Sequence, residues 1–150
     1  MTASLRFAKL EPHPILFDEE QTGEFARELR ETAAQEQISP WCSYVAWLGD
    51  SPVAMGGFKG APDRDNTVEI GYLTFEAHQG QGHATTLAAF LVQIAVEERV
   101  QAVTAHTLME ANASTRVLEK NGFAQDGCGH DDDVGEVWRW RRQILPNDVG

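Results

Sequence analysis

The chain has 150 residues, 42% of them hydrophobic and 23% charged, which is the composition of an ordinary globular domain. Its 12 basic and 23 acidic residues give a net charge of −11, which argues against a general binder of nucleic acids or of anionic membrane surfaces. There is no apolar run of about 18 residues that could cross a bilayer, and residues 1–10 lack the layout of a signal peptide. We therefore expect a cytoplasmic protein.

The first half of the chain predicts a strand, a helix and a β-hairpin. Residues 5–10 alternate enough for a short strand, and residues 23–37 predict a helix because apolar residues recur at four-residue spacing. Residues 41–48 are rich in aromatic and β-branched side chains on both alternating faces, which predicts a strand buried on both sides. After the turn "GDSP", the segment "VAMGGFKG" returns as an antiparallel partner.

A strand–helix–strand unit follows. Residues 67–75 predict a strand, residues 84–98 a long amphipathic helix, and residues 100–108 a strand that is apolar on both faces. A connection of this kind favours parallel pairing of the two strands.

The C-terminal part predicts a short helix, "ASTRVLEKNGF", ended by Gly122, and two closing strands, "AQDGC" and "EVWRWRRQI". The acidic segment "GHDDDVG" between the strands is interpreted as a solvated turn, and we expect no metal site. Cys42 and Cys128 are interpreted as two buried free thiols, with a disulfide between them as the alternative. The whole of 1–150 is expected to form one domain.

Gly80 and Gly82 stand between the predicted strand and the long helix, in "QGQGHA". Glycines at a helix N-terminus let an anion approach unpaired main-chain N–H groups, so this segment has the features of a phosphate-binding turn. The nucleoside-triphosphatase loop is excluded because the segment has no lysine, and the dinucleotide fingerprint because Thr85 holds its third glycine position. The alternative is that both glycines only make a tight connection.

Three segments carry a resemblance to a known family. The pattern Gln-x-x-Gly-x-Ala at 79–84 resembles the acyl-CoA signature of the GNAT N-acetyltransferases, and "ASTRVLEKNGF" is similar to their second signature. With "VEIGY" at 68–72, the chain resembles the branch of the ribosomal-protein-alanine acetyltransferases. The resemblance implies an α+β fold, with a mixed, mostly antiparallel central sheet, a splayed parallel strand pair in its middle and three or four flanking helices.

The resemblance implies acetyl-CoA as the acyl donor. Main-chain N–H groups of the loop would hold its diphosphate, and main-chain groups freed by the splayed strands would bind its pantetheine arm. The expected coenzyme-binding residues are Tyr72, Leu73, Thr74, Gln79, Gly80, Gln81, Gly82, His83, Ala84, Thr85 and Asn112. The basic side chains Lys59, Arg64 and Arg116 are left open as partners of the outer phosphates.

The helix after the second splayed strand departs from the family pattern. The asparagine usual in the family falls at Ala111, and Asn112 follows one residue later, so either the helix start is shifted or Asn112 has lost the usual contact. The tyrosine that protonates the departing thiolate in the family falls at Leu118, which we expect in the core. Ser114 is the nearest matched polar group and a candidate catalytic residue.

Two side chains are candidates for the general base. An amine attacks the thioester only when neutral, so a group must accept its proton. Glu69 is the carboxylate of "VEIGY", and His106 lies on the other splayed strand, where some relatives carry a glutamate base. The alternatives are a structural or substrate-positioning carboxylate at Glu69 and a core histidine at His106. The expected oxyanion donor is a main-chain N–H near Leu73.

We expect an enzyme that moves the acetyl group to a primary amine, of a protein N-terminus or of a small molecule, by direct attack in a ternary complex. Its partners would be acetyl-CoA and the amine acceptor, with no nucleic acid and no membrane; a homodimer and a larger acyl group are left open. The alternative function is an acyl-CoA-binding or sensing module with little or no catalysis, because the usual asparagine and tyrosine are missing.

Overall fold

The computed structural model describes residues 4–35 and 37–148, and within them the chain forms one seven-stranded sheet and four α-helices. The strands are β1 (Arg6–Lys9), β2 (Ser43–Leu48), β3 (Ser51–Phe58), β4 (Thr67–Thr74), β5 (Ala102–Thr107), β6 (Ala124–Asp131) and β7 (Gly135–Gln143). The helices are α1 (Glu19–Thr22), α2 (Ala26–Ala33), α3 (His83–Glu97) and α4 (Ala113–Lys120). Residues 1–3, 36 and 149–150 lie outside the described residues, so one domain over 1–150 stays a prediction.

The sheet has the order β1-β2-β3-β4-β5-β7-β6. Of these neighbours, β4 and β5 are parallel and the others are antiparallel. The predicted α+β fold, with a parallel pair in the middle of a mostly antiparallel sheet, is confirmed.

Apolar layers cover both faces of the sheet. On one face α3 buries the stripe that its sequence predicts, including Leu87, Leu91 and Ala95, against β3, β4 and β5. On the other face Leu16 and Leu29 pack with residues of β2 and β3, such as Val45. Because both faces are covered, β2 is buried on both sides, as its sequence predicts.

The predicted first helix, 23–37, is wrong in its bounds. Asp18 caps α1, since its carboxylate accepts a hydrogen bond from the N–H of Glu20 at 2.9 Å. Gly23 then adopts φ +60°, which an α-helix cannot continue through, and a short 3-10 turn leads into α2. Of the predicted helix only Ala26–Ala33 is α-helical, and a separate helix, α1, precedes it. Its predicted last turn includes residue 36, which lies outside the described residues.

Two further expectations need correction near the C-terminus. The strands β6 and β7 pair as far as Asp131 and Gly135, so only residues 132–134 remain of the predicted seven-residue turn. Cys42 is buried as expected, but Cys128 is exposed because β6 lies at the edge of the sheet. Both thiols are free.

Candidate active site

The connection from β4 to α3 bends at two glycines. Gly80 and Gly82 have φ of +79° and +82°, a region that L-amino acids with a Cβ avoid. A Cβ built at either position would meet no atom within 4 Å, so the protein itself leaves this side of the loop open. The glycines are therefore required by the backbone conformation, and the space beside them remains free for a ligand.

The same loop presents a row of free donors. Gly82 is the N-cap of α3, and the first α-helical hydrogen bond there runs from the N–H of Thr86 to the carbonyl of Gly82 at 3.2 Å. In the described part of the chain, no main-chain N–H from 80 to 85 donates a hydrogen bond. These donors lie at the positive end of a 15-residue helix, which is the arrangement that binds phosphate groups.

The parallel strands β4 and β5 separate after three residue pairs. Thr67–Glu69 pair with Ala102–Thr104, whereas β4 continues to Thr74 without β5 as a partner. We call the gap between the unpaired parts of β4 and β5 the seam. Main-chain groups that face the seam lack the partner that a continuous sheet would supply.

The pairing with β3 decides which main-chain groups face the seam. The carbonyl of Glu69 accepts from Lys59, and the N–H of Phe75 donates to Val53, so odd-numbered residues of β4 bond to β3. Tyr72 and Thr74 therefore turn their main-chain groups to the seam. The N–H of Leu73 itself pairs with β3, so the free N–H expected near Leu73 is that of Tyr72 or Thr74.

A cavity of about 850 Å³ connects the loop, the seam and two helical walls. One wall is residues 22–25 at the junction of α1 and α2, and the other is the face of α4 that carries Arg116 and Lys120. Of the residues predicted for coenzyme binding or catalysis, the cavity is lined by Tyr72, Leu73, Thr74, Gln79, Gly80, Gly82, His83, Ala84, Thr85 and Ser114. The structure thus brings together most of the predicted site.

Two predicted coenzyme-binding residues have side-chain contacts outside the cavity. The Gln81 side chain is exposed, with Oε1 3.2 Å from Nε2 of His83. Asn112 caps α4: its Oδ1 accepts from the N–H of Thr115 at 3.1 Å, and the Thr115 hydroxyl accepts from the N–H of Asn112 at 3.0 Å. The helix start is therefore fixed by Asn112 itself, and this side chain is used in a capping box.

Glu69 and His106 contact each other across the closed end of the seam. Nδ1 of His106 lies 3.1 Å from Oε2 of Glu69, and Nζ of Lys59 lies 3.0 Å from the same oxygen. Neither Glu69 nor His106 lines the cavity. Both side chains lie on the sheet face opposite α3, whereas Val68 and Ile70 of β4 are buried on the α3 face. Lys59 is thus an ion-pair partner of Glu69. The sequence analysis missed this contact, for which the only signal was the position of Lys59 in the β3–β4 hairpin.

The other side of the His106 ring is covered by β6. A Cβ built at Gly129 would lie only 2.7 Å from Nε2 of His106, so glycine is the residue that lets the imidazole fit there. The contact with Glu69 requires Nδ1 to carry the proton. With one nitrogen bonded to Glu69 and the other against Gly129, His106 is arranged to orient the carboxylate.

Tyr72 and Ser114 are joined by hydrogen bonds between β4 and α4. The Tyr72 hydroxyl donates to the main-chain carbonyl of Ser114 at 2.9 Å and lies 3.3 Å from its Oγ. Burial raises the pKa of Tyr72, and the hydrogen bond with Ser114 partly opposes this. Leu118 is fully buried, as expected for a core residue.

Trp140 and the acidic turn have structural roles. Trp140 is buried and its Nε1 donates to the Thr107 hydroxyl at 2.9 Å, whereas Trp138 is half-buried. The Asp131 carboxylate accepts from the N–H groups of Asp133 and Val134 and closes the acidic turn. Over residues 4–35 and 37–148, no three His, Cys, Asp or Glu side chains form a group able to hold a metal, and no helix is long and apolar enough to span a membrane.

Comparison with known proteins identifies the family. Residues 9–123 match the sequence model of the Acetyltransferase (GNAT) family, which is more than half of the chain. The chain belongs to this family. The GNAT resemblance of the two signatures is therefore confirmed, and with it the prediction of an acetyltransferase at the level of the family.

Individual relatives of this GNAT chain are more distant. An uncharacterized N-acetyltransferase of Bacillus subtilis (strain 168), YjdG, is 35% identical over 68 residues, which cover 45% of this chain and 40% of that protein. The aminoglycoside acetyltransferase AAC(6')-Ib, crystallised with coenzyme A and kanamycin, has a TM-score of 0.71 at 19% identity, over 93% of this chain and 95% of that one.

A protein acetyltransferase has a similar fold. RimL, a ribosomal L7/L12 α-N-protein acetyltransferase crystallised with coenzyme A, has a TM-score of 0.68 at 18% identity, over 85% of this chain and 73% of that one. At this identity the likeness concerns the fold, so the ribosomal-protein branch stays a prediction.

Proposed function

We propose that the protein transfers an acetyl group from acetyl-CoA to a primary amine, by direct attack of the amine in a ternary complex. The observation that carries this proposal is the continuity of one cavity, from the free N–H groups at the N-terminus of α3 to the unpaired main chain of β4. A diphosphate fits the first part, and the two amides of a pantetheine arm fit the second. The complexes of similar fold that contain coenzyme A support the same ligand.

The basic side chains on the cavity wall fit the charge of this ligand. Arg116 and Lys120 of α4 line the cavity together with His78 and His83 near the loop. In a chain of net charge −11, the positive charges of Arg116 and Lys120 favour an anion at this wall of the cavity. We assign Arg116 and Lys120 to the phosphates of coenzyme A.

Removal of a proton from the amine is assigned to Glu69. A lysine-type amine has a pKa of about 10 and an α-amine of about 8, so both are mostly protonated at neutral pH. Glu69 lies where the seam closes, with Lys59 and His106 holding one carboxylate oxygen. His106 orients Glu69, since its Nδ1 is hydrogen-bonded to the carboxylate and its Nε2 lies beside Gly129. A water bridging Glu69 and the amine completes the proton path.

Direct transfer needs no covalent enzyme intermediate. Neither Cys42 nor Cys128 lines the cavity, and Cys42 is buried. The free thiols are thus poorly situated to accept an acetyl group from a thioester in the seam. This supports a ternary complex of acetyl-CoA and amine.

We assign the binding position of the amine acceptor to the part of the cavity next to residues 22–25, on the same sheet face as the Glu69 side chain. Glu24 belongs to this wall and Glu76 also lines the cavity, and carboxylates favour a cationic amine. Of the two named proteins of similar fold, the aminoglycoside acetyltransferase AAC(6')-Ib was crystallised with kanamycin, and RimL is an α-N-protein acetyltransferase. A polycationic small molecule and a protein N-terminus are the two substrate classes to be compared.

A screen of amines with detection of released thiol tests the proposal. The panel contains an aminoglycoside, a polyamine and a peptide with a free N-terminus, each with acetyl-CoA in excess. We expect one class to release free coenzyme A at a rate that depends on the amine concentration. Initial rates are then measured while the concentrations of both substrates are varied. Intersecting lines in the double-reciprocal plot would support the ternary complex, and parallel lines would contradict it.

The second candidate function is an acyl-CoA-binding module without catalysis. It is favoured by the buried Leu118, which stands where the family has its tyrosine, and by Asn112, whose side chain caps α4. Calorimetric binding of acetyl-CoA, combined with no thiol release for any amine of the panel, would support this module and contradict the enzyme.

A further inference from the structure

The Tyr72 hydroxyl reaches from β4 to the first turn of α4, inside the cavity assigned to acetyl-CoA. It donates to the Ser114 carbonyl at 2.9 Å and lies 3.3 Å from the Ser114 Oγ, and both residues line the cavity. The geometry points to Tyr72 as the acid that protonates the departing thiolate of coenzyme A. This inference rests on the acetyltransferase function proposed above.

The position of Tyr72 along β4 fits the reacting end of the ligand. The seam closes at Glu69 and the phosphate-binding loop begins at Gly80, so a pantetheine arm between them runs past Tyr72. Tyr72 is three residues from Glu69, which is about 10 Å along a strand. Its main chain faces the seam while its side chain extends toward α4, so the hydroxyl stands beside the sulfur end of the arm.

The chemistry requires an acid at this point, and the usual position supplies none. When the tetrahedral intermediate collapses, the C–S bond breaks and its electron pair moves to sulfur, which then takes up a proton. Leu118 has no proton to give and is fully buried. A phenol, with an ordinary pKa of about 10, is more acidic than the serine and threonine hydroxyls on the cavity wall.

The step balances with groups that the site holds. The Tyr72 O–H bond breaks, its proton goes to sulfur, and free coenzyme A leaves as the thiol. The phenolate that remains accepts a hydrogen bond from the Ser114 hydroxyl, and water returns a proton before the next turnover. A phenol has an ordinary pKa of about 10, and burial raises the pKa of Tyr72 further, so the hydroxyl is protonated at neutral pH.

The first test removes only the hydroxyl. Tyr72→Phe keeps the aromatic ring, and we expect kcat to fall about 100-fold while the calorimetric affinity for acetyl-CoA is unchanged. Tyr44→Phe is the matched control, since Tyr44 is the other tyrosine of the chain and its hydroxyl bonds to the Pro40 carbonyl in the core. Unchanged kcat in Tyr72→Phe, or a loss confined to acetyl-CoA affinity, would overturn the role of Tyr72 and leave the acetyltransferase function standing.

The second test keeps the hydroxyl and changes its acidity. Biosynthetic replacement of tyrosine by 3-fluorotyrosine, in the Tyr44→Phe background, labels Tyr72 alone and lowers the pKa of its phenol. An acid must be protonated to act, so the fall of kcat at alkaline pH should move to lower pH. An alkaline limb that does not move would overturn the role of Tyr72. If the unlabelled protein transfers acetyl to no amine, the proposed function itself fails and the role of Tyr72 with it.

Discussion

The two halves of the candidate site are built from different chemical groups. The proposed coenzyme half is built mainly from main-chain groups at 80–85 and on β4, with Arg116 and Lys120 beside them. The proposed catalytic half consists of the side chains Lys59, Glu69 and His106. A main-chain site tolerates changes of side chain wherever the backbone conformation survives. A side-chain site depends on each of its members, so substitutions should separate the two halves by binding and by turnover.

The largest effect is expected in the coenzyme half, at Gly82. Gly82→Val forces a β-branched residue into φ +82° and fills the open side of the loop. Loss of several hydrogen bonds to the charged diphosphate should weaken acetyl-CoA binding about 100-fold or more. Calorimetric titration measures this loss.

Gly49→Val is the matched control for the loop. Gly49 also has a positive φ, +63°, and open space at its Cβ, but it lies in the β2–β3 turn. Gly49→Val introduces the same backbone strain outside the loop. If it leaves acetyl-CoA binding unchanged, the weaker binding of Gly82→Val is caused by its place in the loop. Normal acetyl-CoA affinity in Gly82→Val would contradict the main-chain site.

In the catalytic half, Glu69→Gln should reduce turnover without changing coenzyme binding. The amide cannot accept the proton of the amine, so kcat should fall about 100-fold at unchanged acetyl-CoA affinity. Steady-state thiol release and calorimetry measure the two quantities. Glu97→Gln, at the far end of α3, is the control and should leave both unchanged. If Glu69→Gln weakens acetyl-CoA binding as much as it lowers kcat, Glu69 acts in coenzyme binding and not as the base.

His106→Ala should have a smaller effect that depends on Glu69. Removing one hydrogen bond to the carboxylate should lower kcat about 10-fold. The double variant Glu69→Gln/His106→Ala should be no slower than Glu69→Gln, because His106 acts through Glu69. Additive losses would indicate two independent proton acceptors, and unchanged turnover in both single variants would remove both residues as bases.

The smallest effect is a pH dependence of coenzyme binding. Burial, with the nearby His78 as a second cause, lowers the pKa of His83, so this imidazole is neutral in the free protein at pH 7. A bound diphosphate favours its charged form, so binding takes up a proton. Acetyl-CoA affinity should therefore rise about threefold as the pH falls below 7 toward the lowered pKa.

Calorimetry in two buffers of different ionisation enthalpy measures this proton uptake directly. His83→Gln should abolish the rise in affinity on the acid side, because the amide does not titrate. A rise of equal size in His83→Gln would assign the effect to another group.

The contrast between the halves also explains what the sequence could predict. The run from β4 through the loop to α3 and β5 was predicted within two residues at each boundary, because glycine pairs and apolar periodicity record backbone conformation locally. In the predicted helix 23–37, the 3-10 turn at its start and the short α1 before it were missed. Because α1, Glu19–Thr22, contains no apolar residue, no apolar period could indicate it.

The catalytic half was only partly predictable, because its contacts join distant segments. Glu69 and His106 are 37 positions apart and Tyr72 and Ser114 are 42, so no local pattern records their contacts. Lys59 was considered for the phosphates, yet it lies across the β3–β4 pairing from Glu69. The register of that hairpin was the signal that could have indicated this ion pair.

The short contact between β4 and β5 has a mechanical consequence. Within the described residues, three residue pairs are all that connect the four-stranded block β1–β4 to the three-stranded block β5–β7 by strand pairing. A molecule that fills the gap beyond these pairs braces one block against the other. Amide hydrogen exchange in the unpaired part of β4 should therefore slow when the gap is filled. The rigidity of the sheet then depends on whether the gap is occupied.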